Sequence, residues 1–126
     1  MSLTTRFETE QGGRVLKAQL AGSLDTNTSP GFDAALAAQL NSGIEFLVLD
    51  MKDLDYISSA GIRSVFKAAK SIKQLGGSTG VANRRPQIVK VFDIIKALPD
   101  LNVFATTAEM DEYLTLMQNR VKDAQG

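Results

Sequence analysis

The chain has no cysteine, no histidine and no tryptophan among its 126 residues. Without cysteine it has no disulfide framework, no thiol nucleophile and no thiolate metal site. Without histidine it has neither a Ser-His-Asp triad nor the usual ligand set for zinc or iron. We therefore expect a protein that is not an enzyme, binds no metal and needs no cofactor.

The charge and hydropathy of the chain exclude further classes. Lys plus Arg and Asp plus Glu both number 14, so no net charge attracts the chain to nucleic acid or to acidic lipid. No apolar run approaches the roughly 18 residues that a membrane helix needs, and no signal peptide is recognisable. These features predict a cytoplasmic protein with no membrane insertion and no direct nucleic-acid binding.

The first half of the chain predicts an opening hairpin, a helix and a central strand. Residues 4–22 read as two strands joined by a turn at Gly12-Gly13. Ser29 and Pro30 are typical of an N-cap and a first helical residue, and Phe32, Leu36 and Leu40 then recur at helical spacing. The apolar run 44–50 predicts a strand that is covered on both faces, followed by a loop that contains Asp50, Asp53 and Asp55.

The second half predicts further helices and strands in alternation. We predict a helix from about Gly61 to Gly76-Gly77 and a strand over residues 78–83. A second helix is predicted over residues 84–98, with Pro86 near its start, and a last strand over residues 102–106. Thr106 and Glu109 make a capping box for a final helix. The apolar positions predicted to face inward in these helices are Ile62, Val65, Phe66, Ala69, Ile72 and Leu75, then Ile88, Val91, Phe92 and Ile95, then Met110, Leu114, Met117 and Val121.

These elements predict one α/β domain over residues 1–126, with a core at about 4–121 and a frayed tail at 122–126. Its mixed β-sheet opens with a hairpin and packs against about four α-helices. In such sheets, binding sites form where strands run into helix N-termini. Two segments are predicted at that end of the sheet, residues 22–30 (GSLDTNTSP) and residues 54–64 (LDYISSAGIRS).

Two serines at the start of a helix have two interpretations. One of them can cap the helix, because serine satisfies its unpaired first N–H groups. Alternatively, a hydroxyl at a helix N-terminus is a favourable place for a phosphate. The local pattern at Ser58 and Ser59 leaves both interpretations open.

Residues 54–70 (LDYISSAGIRSVFKAAK), preceded by FLVLDMKD and by AGSLDTNTSP, resemble the STAS domain of bacterial anti-sigma-factor antagonists. The resemblance covers nearly the whole chain. It implies a partner switch: the unphosphorylated domain binds a GHKL-type anti-sigma serine kinase, which then releases its sigma factor or another effector. Phosphorylation by that kinase ends binding, and a PP2C-type phosphatase restores it.

The resemblance also implies the site residues. The family's phosphoacceptor, two residues before the motif glycine, corresponds to Ser59, with Ser58 as the alternative. Ser58 and Ala60 stand where many phosphorylated members have Asp and Ser, which leaves open whether this member is phosphorylated. The acidic residue of the G-x-L-D turn corresponds to Asp25. The partner-binding set is Asp25, Thr26, Ser58, Ser59, Gly61 and Arg63.

Some of these residues have structural alternatives. Asp25 is as typical of a turn former as of a contact residue, and Arg63 can be a solvated side chain. Arg84-Arg85 is typical of a solvated loop, with phosphate or kinase binding as the alternative.

Two other functions compete with the partner switch. The first is a STAS module that does not switch, such as a small subunit of a lipid-transport ATPase complex. The second is a receiver-like or nucleotide-binding regulatory domain. A receiver needs an acidic pair after its first strand, whereas the first strand here ends in EQGG and is followed by another strand; a P-loop is also missing.

Overall fold

The computed structural model describes residues 2–89, the backbone of residues 101–104, and residues 108, 112 and 115. The described strands form one five-stranded sheet whose spatial order follows the chain. The strands are β1 (Leu3–Glu10), β2 (Val15–Leu24), β3 (Phe46–Ile57), β4 (Ser78–Ala82) and β5 (Leu101–Phe104), and the helices described over their whole length are α1 (Ser29–Gln39) and α2 (Ser59–Gln74).

The predicted hairpin and mixed sheet are confirmed. β1 pairs antiparallel with β2, whereas β2–β3, β3–β4 and β4–β5 are all parallel pairs. The hairpin turn Gln11–Gly13 has positive φ at all three residues. Two of them are glycines, which adopt this backbone region without steric cost. In β2, Leu16, Ala18 and Leu20 are buried in alternation, as the sequence pattern predicts.

The main core lies between one face of the sheet and the helices α1 and α2. Apolar side chains from β2, β3 and both helices form one cluster, in which Leu16, Leu47, Leu49, Leu36, Val65 and Ile72 are all buried. A smaller cluster comprises Val15, Phe46, Val48 and Ala82. Because successive strand side chains point to opposite faces, this second cluster lies on the other side of the sheet. The central strand is therefore buried on both faces, as predicted.

The prediction of a loop after residue 50 is wrong, because β3 continues through these residues to Ile57. Met51 and Leu54 are fully buried and anchor the extension, while Asp53 and Asp55 project into solvent. The β2–β3 register shifts after Gln19 and again after Gly22. Such irregularities break strict alternation, so the extension has no period-2 signal.

The start of α1 also differs from the prediction. Ser29 is its first residue rather than its N-cap, and Thr28 occupies the cap position without a capping side-chain hydrogen bond. Pro30 still lies within the first turn, where a missing N–H costs nothing. Phe32 and Leu36 are buried as predicted, and Leu40 is half-buried just beyond the helix.

The helix α2 begins at Ser59, two residues before the predicted start. Its end at Gly76-Gly77 is confirmed: Gly76 has φ +86°, and the N–H groups of Gly76 and Gly77 donate to the carbonyls of Lys73 and Ile72. The prediction that Leu75 faces inward is wrong, because this residue follows the last helical residue and is 36% exposed.

The remaining elements are described in part. β4 and β5 confirm the predicted fourth and fifth strands. Residues 86–89 are helical and Ile88 is buried, as predicted, and residues 108, 112 and 115 are helical. The other inward positions predicted for these two helices lie outside the described residues, namely Val91, Phe92, Ile95, Met110, Leu114, Met117 and Val121.

Candidate functional site

The site predicted from the two segments lies where β2 and β3 end. Leu24 and Ile57 pair at the last position of the two parallel strands. One residue later, the backbone N–H of Ser58 donates to the carbonyl oxygen of Leu24 at 3.0 Å. The turn after β2 and the start of α2 are therefore neighbours at the same end of the sheet.

Ser58 is the residue that caps α2. Its backbone is extended (φ −97°, ψ 176°), and its Oγ accepts a hydrogen bond from the Gly61 N–H at 3.2 Å. Its carbonyl oxygen accepts from the Ile62 N–H at 2.9 Å. This is the arrangement of a serine N-cap. The Ser58 hydroxyl therefore has a structural task and is half-buried.

Ser59 differs from its neighbour in helix position, exposure and side-chain hydrogen bonding. It is the first residue of α2 and is exposed. Among the described residues, its hydroxyl has no hydrogen-bond partner. The first N–H groups of a helix have no intrahelical acceptor, so they favour negative charge at this position. The capping interpretation thus applies to Ser58, and Ser59 is the exposed serine at the helix start.

Gly61 brings α2 close to the sheet. A Cβ at this position would collide with the carbonyl oxygen of Leu24 and come within 2.7 Å of Cγ1 of Ile57. Gly61 is buried, so its part in the site is to shape the helix start. Arg63 lies on the same helix and is exposed.

Asp25 organises the turn that faces the serines. Its Oδ1 accepts from the N–H groups of Asn27 at 2.9 Å and Thr28 at 3.0 Å. The Thr28 Oγ1 donates to the carbonyl of Ser23 at 2.8 Å and accepts from the Asp25 N–H at 2.9 Å. The carboxylate is thus a turn former. Thr26 and Asn27 are the exposed residues of this turn.

A polar cluster beside the site was not predicted as such. Arg85 donates through Nε to the carbonyl of Lys52 at 2.9 Å and forms an ion pair with Asp55. Nearby, Oδ1 of the buried Asp50 accepts from the Lys52 N–H and from Nδ2 of Asn83, both at 3.0 Å. Arg85 is therefore fixed to the extension of β3 instead of being a free loop cation.

The part of the chain that the structure describes has neither a metal-binding cluster nor a membrane-spanning helix. No group of three or more acidic residues there is arranged to hold a metal ion. No described helix has the length and apolar character that crossing a membrane requires.

Comparisons with known proteins identify the family. The STAS domain model matches residues 6–110, and the chain therefore belongs to the STAS domain family. This membership, together with the sheet that opens in a hairpin, excludes the receiver-like alternative.

Several of the similar proteins are described as anti-sigma factor antagonists. BtrV of Bordetella bronchiseptica, described as a candidate anti-sigma factor antagonist, is 39% identical over 80 residues, which are 64% of this chain and 69% of BtrV. A crystal structure of an anti-sigma factor antagonist from Mycobacterium paratuberculosis has a TM-score of 0.77 at 21% identity, covering 93% of this chain and 95% of that one. The Bacillus cell fate determinant SpoIIAA in its phosphorylated form has a TM-score of 0.67 at 19% identity, covering 88% and 99%.

Proposed function

We propose that this protein is an anti-sigma factor antagonist that works as a phosphorylation-controlled partner switch. In its unmodified form it binds a GHKL-type anti-sigma serine kinase and thereby frees a sigma factor or another effector. Phosphorylation of Ser59 by that kinase ends binding, and a PP2C-type phosphatase reverses it. The proposal is supported by the family and by relatives that carry the antagonist name.

The observation that carries the proposal is the contrast between the two serines. The Ser58 hydroxyl is engaged as the N-cap, whereas the Ser59 hydroxyl is exposed beside it. A phosphate on Ser59 would bring about −1.5 to −2 charges to the positive end of α2 without removing the cap. Modification at this position is therefore compatible with the folded domain.

The same charge gives a reason for release. The turn of Asp25 adjoins the start of α2, whereas the carboxylate of Asp55, at the end of β3, is already paired with Arg85. A partner that covers Ser59 would have to desolvate a dianion beside the Asp25 turn and close to its own acidic groups. A loss of about 3 kcal/mol in binding free energy is enough for a roughly hundredfold change in affinity.

The first experiment locates the phosphate. The purified protein is incubated with its cognate kinase and ATP, and modified residues are mapped by mass spectrometry. We expect one phosphate, abolished by Ser59→Ala and retained in Ser58→Asn. Asparagine is the better control at position 58, because it caps helices as well as serine does but has no hydroxyl. Phosphate found only on Ser58, Thr26 or Thr28 would contradict the assignment.

A further inference from the structure

The strand β1 forms an edge of the sheet, with β2 as its neighbour on one side alone within the described residues. The N–H of Ser23 donates to the carbonyl of Ser2 at 3.1 Å, which extends the β1–β2 pairing by one position. In an antiparallel pair, hydrogen-bonded and non-bonded positions alternate. Even-numbered residues of β1 therefore bond to β2, and the odd-numbered ones direct their N–H and C=O groups outward, namely Leu3, Thr5, Phe7 and Thr9.

This alternation restricts how two copies of β1 can pair. In a symmetric antiparallel pair, outward-directed residues must face each other, so odd-numbered residues pair with odd-numbered ones. Two such registers give the greatest overlap, one centred on Arg6 and the other on Phe7. The first places Arg6 opposite the partner's Arg6, and like charges directly opposite are destabilising. The second places Arg6 opposite the partner's Glu8.

The side chains favour the register centred on Phe7. Arg6 and Glu8 are both exposed on the outer face of β1. They would form a non-bonded pair, in which side chains approach most closely, and twofold symmetry would create this pair twice. On the other face, Phe7 is only half-buried against the core and would meet the partner's Phe7. Aromatic cross-strand pairs also stabilise sheets.

We propose that β1 pairs antiparallel with β1 of a second copy of this chain, with Phe7 on the twofold axis, so that the sheet continues across two copies. Exposed strand edges are templates for such pairing. The inference goes beyond the proposed function and does not depend on it. One pair of edge strands buries less surface than the roughly 1,200–2,000 Å² of a stable interface, so we expect a weak dimer that depends on concentration.

Analytical ultracentrifugation of the full chain provides the first test. The wild-type protein is expected to dimerise as its concentration approaches about 1 mM, whereas Thr5→Pro should associate at least about tenfold more weakly. The Thr5 N–H points away from β2, so proline removes no bond within the chain, and proline is tolerated on edge strands. A wild-type protein that stays monomeric throughout, as it would if this edge served a different protein, overturns the proposal.

Charge reversal tests the register. Arg6→Glu alone should abolish the dimer by placing two carboxylates opposite each other. The double variant Arg6→Glu/Glu8→Arg restores opposite charges and should restore the dimer, with circular dichroism verifying that each variant is folded. A double variant that is folded but stays as monomeric as Arg6→Glu contradicts the register centred on Phe7.

The absence of cysteine allows a geometric test. In the proposed register the two Phe7 Cα atoms lie about 5.5 Å apart, within the range that a disulfide spans. Phe7→Cys should therefore form a disulfide-linked dimer under mild oxidation. Thr9→Cys is the control, because it faces the partner's Thr5 and lies too far from its own counterpart. Faster crosslinking of Thr9→Cys than of Phe7→Cys would refute the arrangement.

Discussion

The backbone N–H of Ser58 donates to the carbonyl oxygen of Leu24 at 3.0 Å, so the start of α2 is joined directly to the end of β2. The residue after Leu24 is Asp25, and the residue after Ser58 is Ser59. This one hydrogen bond therefore places the acidic turn beside the proposed phosphoacceptor. Substitutions near this hydrogen bond test the packing of the site and the roles of its side chains separately.

Gly61→Ala should destabilise the fold. The added methyl group would meet the Leu24 carbonyl and the Ile57 side chain, and overpacking of this kind costs about 1–3 kcal/mol. Gly31→Ala is the matched control, because a Cβ there meets no atom within 4 Å and alanine favours a helix by up to about 1 kcal/mol. Equilibrium unfolding in urea measures both values. Equal stabilities for the two variants would contradict the close approach of α2 to β2.

The two serines should differ in their effect on stability. Ser58→Ala removes the N-cap of α2 and should lower the free energy of unfolding by about 0.5–2 kcal/mol, whereas Ser58→Asn should recover most of it. Ser59→Ala should change it by no more than about 0.5 kcal/mol, because the exposed hydroxyl has no hydrogen-bond partner among the described residues. Thermal or chemical denaturation distinguishes them. A Ser59→Ala cost equal to that of Ser58→Ala would contradict the division of roles.

Asp25 requires a substitution that preserves its turn. Asp25→Ala is unsuitable, because the Asp25 Oδ1 accepts two backbone hydrogen bonds that alanine would lose. Asp25→Asn keeps an acceptor there and removes the charge. We expect Asp25→Asn to fold normally and bind the kinase more weakly, as measured by titration calorimetry. If Asp25→Asn bound the kinase with unchanged affinity, Asp25 would act only as a turn former.

The pair of Arg85 and Asp55 should contribute little to stability. Their side chains are 41% and 64% exposed, and exposed ion pairs contribute at most about 1 kcal/mol. A double-mutant cycle with Arg85→Gln and Asp55→Asn should give a coupling below that value, declining with added salt. Lys70→Gln with Asp55→Asn is the control and should be additive, because Lys70 is exposed in the second half of α2 and forms no ion pair with Asp55. A coupling energy well above about 1 kcal/mol that does not fall with added salt would contradict an exposed ion pair between Arg85 and Asp55.

What could be predicted from the sequence was mainly local. The end of α2 at Gly76-Gly77 rests on hydrogen bonds within a few residues, so a short pattern was enough to predict it. A serine cap for α2 was also predicted, but the pattern did not distinguish Ser58 from Ser59. The alternation in β2 and the opening hairpin were also visible.

The parts that could not be predicted depend on contacts between distant segments. The extension of β3 follows from burial of Met51 and Leu54 and from register shifts against β2, which no local pattern encodes. Arg85 reaches Asp55 across 30 residues, because the parallel β3–β4 pair brings together the segments that follow Asp50 and Ala82. Knowing that register would have been needed to predict this contact.

The measurement that tests the central claim most directly is a titration of the cognate kinase with two forms of this protein, unmodified and phosphorylated on Ser59. The account predicts that the unmodified form binds and that the phosphorylated form binds at least about a hundredfold more weakly, a difference of about 3 kcal/mol. Equal affinity of the two forms would contradict the partner switch and would favour a STAS module that does not switch.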